Sequence, residues 1–342
     1  MLRDCVAFGA VAAALVACAT PRPPGASSPI PRSPSPPPTE SRATSHDFWS
    51  QALGTRKRFL VWLPPSYEAE RGRRYPVAIY LHGAFGDETN WTRLGALAGT
   101  LDSLAAAGMP ELIVVMPDGD DGWYTTWNWL GDYAACRRNR PGDAEPAATY
   151  CVPWPHYDDY IARDLVAHVD RTFRTIADRR HRGIAGLSMG GYGAVTLALS
   201  YPDVFGAAAS HSGALAPAFQ RRAASTVRPS FDLDSLEAAY PEALWAQLRV
   251  VFGRDSVGWF ARDPLRKAQQ LAQTRPLQMP ALYVDCGSED PLLAQNRIFR
   301  DGLRALGIDL AYVEYPGAHE WEYWRRHAAQ SARWLAQQLS VR

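Results

Sequence analysis

The region from about residue 46 onward alternates short apolar runs with stretches of helical spacing. The predicted strands are RFLVWLP (58–64), VAIYLHG (77–83), LIVVMPDG (112–119), RGIAGLS (182–188), FGAAASHSG (205–213), ALYVDCG (281–287) and LAYVEYPG (310–317). Most are almost continuously apolar, as strands are when other elements cover both of their faces. Between two of them, apolar residues recur at every fourth position from Ile161 to Phe173, which predicts a helix. This alternation indicates an α/β fold with a mainly parallel sheet covered by helices on both faces.

A long segment at about residues 216–279 interrupts the alternation with helical patterns such as SLEAAYPEALWAQL. Because this segment falls between two predicted strands, we expect a helical, cap-like insertion over the sheet. A chain of 342 residues is long enough for one large core. The sequence therefore predicts a single catalytic domain over residues 46–342, with the insertion inside it.

Residues 1–17 are interpreted as a signal peptide that is not part of the fold. Their apolar run, CVAFGAVAAALVA (5–17), is too short to span a bilayer and has signal-peptide length. The run ends in LVAC, Leu15 to Cys18, which resembles a bacterial lipobox with a lipidated cysteine. An ordinary signal peptide with an incidental cysteine is the alternative. We expect lipidation at Cys18 and a membrane-tethered, exported bacterial lipoprotein, periplasmic or at the cell surface.

Residues 18–45 have the composition of a disordered tether that follows the lipidated cysteine. Nine of the 18 residues from 21 to 38 are proline, which favours extended polyproline geometry and prevents formation of a core. At roughly 3.1 Å per residue, residues 19–45 could reach about 80 Å. We interpret the segment as a spacer between the membrane and the catalytic domain.

Two cysteines, Cys136 and Cys151, bracket the polar insert RRNRPGDAEPAATY. In an oxidising compartment we expect them to form a disulfide. Closing a loop of that length stabilises a fold by on the order of 3 kcal/mol in the chain-entropy model. Two unpaired thiols in a loop are the alternative.

The segment GIAGLSMGGYGAV (183–195) places Ser188 between an apolar strand and a small-residue helix pattern. Gly186-Leu187-Ser188-Met189-Gly190 matches the G-x-S-x-G nucleophile elbow, in which the serine occupies a sharp strand-to-helix turn. Such a turn needs neighbours without bulk, and the glycines meet that need. A glycine-rich turn that only packs a helix on a strand is the alternative. The context favours Ser188 as a nucleophile.

A serine nucleophile needs a base and an acid that orients the base. Of the eight histidines, only His319 is both downstream of Ser188 and in a glycine-containing loop after a predicted strand. The loop after the preceding strand, DCGSEDPLL, offers Glu289 and Asp290 as acids. The chain order serine, acid, histidine is the order of the α/β-hydrolases.

Charge and motif content exclude several other classes of function. The chain has 36 basic and 35 acidic side chains, and no basic stripe that would bind nucleic acid. We find no Walker A motif, no dinucleotide-binding glycine pattern and no Cys/His cluster with zinc spacing, so we expect neither cofactor nor metal. Asp118, Asp120 and Asp121 do not have EF-hand spacing, and we expect them to form a solvated acidic loop.

The aromatic segment DGDDGWYTTWNW (118–129) follows a predicted strand and so lies at the carboxyl edge of the sheet. Ligands bind at this edge in open α/β sheets. We take Trp123, Tyr124 and Trp127 as candidate substrate-binding residues, with Trp129 beside them. Burial of the rings to anchor the loop is the alternative.

Four ordered segments together resemble the esterase D group of α/β-hydrolases: LHGAFGDETNW, DDYIARDLVAHVDRTFRTIADRRHRGIAGLSMGGYGA, CGSEDPLL and GAHEWEYW. That group includes S-formylglutathione hydrolases, feruloyl, acetylxylan and tributyrin esterases, and mycolyltransferases. The resemblance covers roughly residues 46–340 and implies an α/β-hydrolase fold. It also implies Ser188 as nucleophile, His319 as base and, of the two acids, Asp290.

The oxyanion hole of this fold needs two backbone N–H donors. One should be the amide of Met189, directly after the nucleophile. The resemblance implies that the other is the amide of Ala84 in HGAFG, with Phe85 as the alternative. His82, just before this loop, is expected to support it.

These observations predict an exported serine esterase that hydrolyses carboxylic esters through an acyl-enzyme intermediate. The expected partner is a small-molecule or carbohydrate-linked ester, with no nucleic acid, and with membrane contact through the lipid anchor only. The predicted export disfavours S-formylglutathione hydrolysis in the cytosol. Two alternatives remain: an acyltransferase that passes the acyl group to a sugar hydroxyl, and a catalytically silent carbohydrate-binding envelope protein.

Overall fold

The computed structural model describes residues 43–127, 152, 154–218 and 233–340. The described residues form one eight-stranded sheet. Its strands are β1 (Ala43–Ser50), β2 (Thr55–Trp62), β3 (Val77–Leu81), β4 (Ile113–Pro117), β5 (Arg182–Leu187), β6 (Ala207–His211), β7 (Ala281–Gly287) and β8 (Ala311–Tyr315). They lie in the order β1-β2-β4-β3-β5-β6-β7-β8.

Pairing in this sheet is mainly parallel, as the sequence predicts. β1 pairs with β2, and β2 with β4, in antiparallel register, whereas every other neighbouring pair is parallel. The central strands β3, β4, β5 and β6 are buried along their whole length. Because the strands from β3 to β8 are parallel, their carboxyl ends share one edge, and the loops that follow them meet there.

Strand β1 is the one strand of this sheet that the sequence patterns do not predict. Its segment, ATSHDFWS, alternates buried and exposed positions and pairs only with β2 at the edge of the sheet. Such a strand lacks the continuous apolar run of a central strand. The first described strand therefore begins at Ala43, three residues before the predicted domain start and inside the predicted tether (18–45).

Helices cover both faces of the sheet. They are α1 (Asn90–Arg93), α2 (Leu97–Ala106), α3 (Tyr157–Asp159), a π-helical turn (Tyr160–Leu165), α4 (Val166–Thr172), α5 (Met189–Ser200), α6 (Leu233–Ala239), α7 (Glu242–Phe252), α8 (Ser256–Ala261), α9 (Pro264–Thr274), α10 (Leu293–Ala305) and α11 (Trp321–Ser340), with short 3₁₀ turns at Arg179–His181 and Pro276–Gln278. In the described part of the chain, no helix has both the length and the apolar character that a membrane span requires.

Two apolar clusters fill the space between the sheet and these helices. One contains the stripe that begins at Ile161, together with apolar residues of α5 and α10. The other joins the opposite face of the sheet to α2 and α11, with Leu101 and Leu335 among its members. Removal of these side chains from water is the main favourable contribution to folding. The predicted helix at 161–173 is present, with the π-helical turn at its start.

The predicted insertion contains four described helices, α6 to α9, between β6 and β7. They pack on the sheet domain through aromatic rings. The ring centroid of Phe252 lies 5.5 Å from that of Trp123 and 5.6 Å from that of Tyr192 on α5. The Tyr192 hydroxyl also donates to the backbone carbonyl of Arg262 at 2.9 Å. These contacts hold the insertion above the carboxyl edge of the sheet.

Candidate active site

Ser188 occupies a strained turn between β5 and α5. Its φ of 54° lies in the left-handed region, which residues other than glycine rarely adopt. The Ser188 N–H donates to the His211 carbonyl at 2.9 Å, so the neighbouring strand holds the strained residue in place. A Cβ on Gly186 would lie 2.2 Å from the Gly190 carbonyl oxygen. The glycines are therefore needed for the close approach of the two limbs of the turn.

The Gly190→Ala variant tests this tight turn. Its Cβ would lie 2.4 Å from the Leu81 carbonyl oxygen, so either β3 or the elbow must move. We expect a loss of about 1–3 kcal/mol in the free energy of unfolding, measured with urea. Gly99→Ala in α2 is the matched control, because nothing lies within 4 Å of its Cβ and Ala favours a helix. Equal stabilities of the two variants would contradict the prediction.

The structure brings Ser188, His319 and Asp290 together from three separate loops. Ser188 Oγ lies 2.9 Å from His319 Nε2, and His319 Nδ1 lies 2.9 Å from Asp290 Oδ2. A carboxylate accepts hydrogen bonds, so Nδ1 carries the ring proton and Nε2 is free to accept from the serine hydroxyl. The three residues form one directed chain of hydrogen bonds.

Backbone and aromatic contacts fix the two partners of Ser188. The second oxygen of Asp290 accepts the Leu292 N–H at 2.7 Å, and the residue is only 5% exposed. The His319 ring stands edge to face against Trp324, with 4.9 Å between the centroids. Glu289, the alternative acid, is exposed and accepts from the adjacent Ser288 hydroxyl. The geometry thus selects Asp290 of the two acids.

Two backbone amides beside Ser188 are candidates for an oxyanion hole. Within the described residues, neither the Ala84 N–H nor the Met189 N–H donates to a protein acceptor. Met189 is the first residue of α5, where amides lack partners within the helix. The Phe85 N–H donates instead to Asp121 Oδ1 at 2.7 Å. Ala84, and not Phe85, therefore has the amide that is free for a ligand.

A cavity of about 760 Å³ opens above Ser188 and His319. This volume lies in the range of small-molecule sites. Much of its wall is apolar or aromatic. Its lining includes Ala84, Phe85, Trp123, Tyr240, Leu244 and Trp321. The wall therefore combines the loop after β3 with the start of α7 in the insertion and the start of α11.

Of the three aromatic residues predicted to contact substrate, Trp123 lines this cavity. Tyr124 is buried against the glycines of the fold, and its hydroxyl donates to the His82 carbonyl at 3.0 Å. Trp127 stacks on Tyr157 with 6.4 Å between the centroids and is 7% exposed. The prediction of substrate contact for Tyr124 and Trp127 is corrected, since these rings anchor the loop through burial. Trp129 lies outside the described residues, as do Cys18, Cys136 and Cys151.

Two of the three aspartates in the acidic loop after β4 are buried, contrary to the expectation of a solvated loop. Asp118 and Asp120 are 2% and 6% exposed. Lys57 of β2 is fully buried, and its Nζ lies 2.6 Å from Asp118 Oδ2 and 2.9 Å from Asp120 Oδ2. The Tyr157 hydroxyl donates to the same oxygen of Asp120 at 2.7 Å. A buried ion cluster therefore holds the loop beside the cavity.

The pKa values of the two carboxyl groups of this cluster shift in opposite directions. Burial opposes the charge on Asp118, but the interactions of this carboxylate with Lys57 and His82 together outweigh burial and hold the pKa of Asp118 below its usual range. Burial raises the pKa of Asp120 to about 6, although Lys57 opposes this shift. The two carboxylates together raise the pKa of Lys57 against the effect of burial. Lys57 is thus a cation throughout the neutral range.

His82 links this loop to the loop after β3, which the sequence predicts it to support. The Gly119 N–H donates to His82 Nε2 at 2.8 Å, so this nitrogen carries no proton. The other ring nitrogen lies 2.8 Å from the Gly83 carbonyl oxygen, to which its N–H donates. The buried imidazole therefore connects two loops.

Comparison with known proteins identifies the family. A family model described as "Putative esterase" matches residues 50–335, which is most of the chain. The chain belongs to this esterase family. Esterase Rv1288 of Mycobacterium tuberculosis is 30% identical over 293 residues, which cover 82% of this chain and 56% of that protein. The chain therefore spans little more than half the length of this mycobacterial relative.

Two further esterases are similar along most of their own length. The acetyl esterase of Caldicellulosiruptor saccharolyticus is 25% identical over 85% of this chain and 96% of that protein. The structure of a ferulic acid esterase matches with a TM-score of 0.59 and 26% identity, over 87% of this chain and 98% of that chain. These likenesses confirm the α/β-hydrolase fold and the resemblance to this group of esterases.

Proposed function

We propose that the chain is a serine esterase that hydrolyses carboxylic esters through an acyl-enzyme intermediate. The observation that carries this proposal is the hydrogen-bond chain from Ser188 through His319 to Asp290. Membership of the esterase family and the cavity above Ser188 support it further. In this proposal Ser188 is the nucleophile, His319 the general base and Asp290 the group that orients the base.

The first half of the reaction acylates Ser188. His319 Nε2 takes the hydroxyl proton as Ser188 Oγ attacks the acyl carbon and the C=O π electrons move to oxygen. The Ala84 and Met189 amides then donate hydrogen bonds to the oxyanion. These hydrogen bonds are stronger in the transition state than in the ester. As the intermediate collapses, the C–O bond to the alcohol breaks and His319 gives its proton to the leaving oxygen.

The second half of the reaction removes the acyl group and regenerates the free Ser188 hydroxyl. Water donates a proton to His319 Nε2 and attacks the acyl carbon, and the second tetrahedral intermediate forms in the same oxyanion hole. Its collapse breaks the bond to Ser188 Oγ, which recovers the proton from His319. Water can reach the base because the His319 side chain remains 26% exposed.

The wall of the cavity supports esters with an apolar or aromatic group. Phe85 is 65% exposed and Trp321 lines the same space, so both rings offer faces to a ligand. The experiment that tests the proposed function is hydrolysis of 4-nitrophenyl acetate by the purified chain, with the Ser188→Ala variant as the deciding comparison.

We further propose that the chain is exported and lipidated at Cys18. LVAC directly after an apolar run of signal-peptide length supports this proposal. Mass spectrometry of protein extracted from membranes should find a diacylglycerol-modified N-terminal Cys18. An unmodified N-terminus, or one upstream of Cys18, would contradict it. The disulfide between Cys136 and Cys151 remains a prediction, because it depends on export to an oxidising compartment.

A further inference from the structure

The loop that carries the Ala84 amide is a tight turn with an unfavourable residue in it. The Gly86 N–H donates to the Gly83 carbonyl at 3.2 Å, which closes a four-residue β-turn. Of its two central residues, only Phe85 has a positive φ, at 62°. This combination is the signature of a type II turn, whose third position normally requires glycine or asparagine. Phenylalanine at that position is strained.

The Phe85 side chain does not account for this conformation. It is 65% exposed at the rim of the cavity, so little packing holds the ring in place. The backbone has a strong contact, because the Phe85 N–H donates to Asp121 Oδ1 at 2.7 Å. A hydrogen bond from an amide to a carboxylate is shorter and stronger than one between neutral groups. Asp121 therefore stabilises the strained residue through its main chain.

This contact selects one orientation of the central peptide of the turn. Type I and type II turns differ mainly by a flip of the peptide between their second and third residues. In the observed turn the flip directs the Phe85 N–H at Asp121. In a type I turn the Ala84 carbonyl oxygen would face the carboxylate instead and be repelled by it. The Ala84 amide belongs to the residue directly before this peptide.

Asp121 is itself held by a rigid and strained loop. The neighbouring Asp120 has a φ of 45°, and its carboxylate is held by Lys57 and Tyr157. The same loop is also joined to the residue directly before the turn, because the Gly119 N–H donates to His82 Nε2. The buried ion cluster thus fixes the loop that presents Asp121 to the turn.

We propose that Asp121 is a positioning residue for the oxyanion hole. Its carboxylate anchors the peptide directly after Ala84 and so fixes the position of the Gly83–Gly86 turn, which carries the Ala84 amide. This inference rests on the proposed esterase function. It assigns to Asp121 no contact with the substrate and no transfer of a proton.

The Asp121→Ala variant should lower kcat for 4-nitrophenyl acetate by about 10- to 100-fold, with KM changed less than about threefold, because the amide acts on the transition state. Asp121→Asn should keep kcat within about threefold of wild type, since its amide oxygen still accepts the Phe85 N–H. The exposed Asp309→Ala is the control for loss of a charge, and its kcat should not change.

A second variant tests the turn directly. Glycine adopts the positive φ of residue 85 without strain, so the turn in Phe85→Gly should no longer depend on Asp121. In that background, Asp121→Ala should lower kcat by less than about threefold. If the removal of Asp121 acted elsewhere in the fold, glycine at residue 85 would not restore kcat. If Asp121→Ala does not fold, Asp121→Ser takes its place in both backgrounds.

A boronic acid inhibitor gives an independent readout, since its adduct with Ser188 places an oxygen in the oxyanion hole. Its affinity should fall by the same factor as kcat/KM in Asp121→Ala. An unchanged kcat in this variant, or an equal loss in the Phe85→Gly background, would overturn the positioning role while wild-type hydrolysis still supports the proposed function. Absence of hydrolysis in the wild type would overturn both.

Discussion

Ser188→Ala is expected to reduce kcat for 4-nitrophenyl acetate by on the order of 10⁵-fold or more. The methyl group cannot form the acyl-enzyme, and His319 then has no hydroxyl to deprotonate. The remaining rate would come only from the oxyanion hole and from substrate binding. The rate of 4-nitrophenol release, followed by stopped-flow or steady-state assay, measures the loss of kcat. Circular dichroism shows whether the variant is folded.

The same variant should no longer be labelled by a fluorophosphonate probe, which phosphonylates an activated serine oxygen. Ser288→Ala is the matched control, because Ser288 is exposed in the loop next to Asp290 and takes no part in the hydrogen-bond chain. It should keep both the labelling and the rate. A folded Ser188→Ala protein that still hydrolyses the ester would contradict the proposed nucleophile.

Lys57→Met is expected to lower the free energy of unfolding by about 3–5 kcal/mol at pH 8. The variant leaves Asp118 and Asp120 buried close together without their cation. Urea denaturation measures the change. Lys267→Met is the matched control, because Lys267 is partly exposed and bonds to the Ser200 hydroxyl. It should lose less than about 1 kcal/mol.

The pH dependence of this loss has a definite sign. Without Lys57, burial and mutual repulsion raise the pKa of both carboxyl groups above the value of about 3.9 in the unfolded chain. At a pH between the unfolded pKa and the raised folded pKa, the folded variant then binds more protons than the unfolded chain. The free energy of unfolding of the variant therefore rises as the pH falls. The gap between variant and wild type should narrow from pH 8 to pH 5. A gap that widens would contradict the assignment of the cluster.

Local patterns predicted much of the fold and of the site. Most of the strands are recognisable as almost continuous apolar runs, and the loops that carry Ser188, Asp290 and His319 directly follow predicted strands. The parallel sheet then requires those loops to meet at one edge. Seven of the eight strands described here follow from that reasoning, and β1 lacked the signal because it is an alternating edge strand.

The interactions that the sequence did not predict join residues far apart in the chain. Lys57 reaches Asp118 because β2 pairs with β4, a pairing that no local pattern encodes. The contact of Asp121 with Phe85 likewise depends on the arrangement of two separate loops. A signal was nevertheless present, because Lys57 is the one charged position of β2 on the face that carries Phe59 and Val61.

The described cavity has two kinds of wall with different origins. Ser188, Asp290 and His319 lie in loops anchored on β5, β7 and β8, whereas Tyr240 and Leu244 come from the insertion between β6 and β7. Part of the cavity wall is therefore encoded in a stretch of the gene separate from those that encode Ser188, Asp290 and His319. Exchange of the insertion by recombination can change which esters fit without altering the hydrogen bonds that activate the serine. The fold is in this sense a reusable scaffold for divergence.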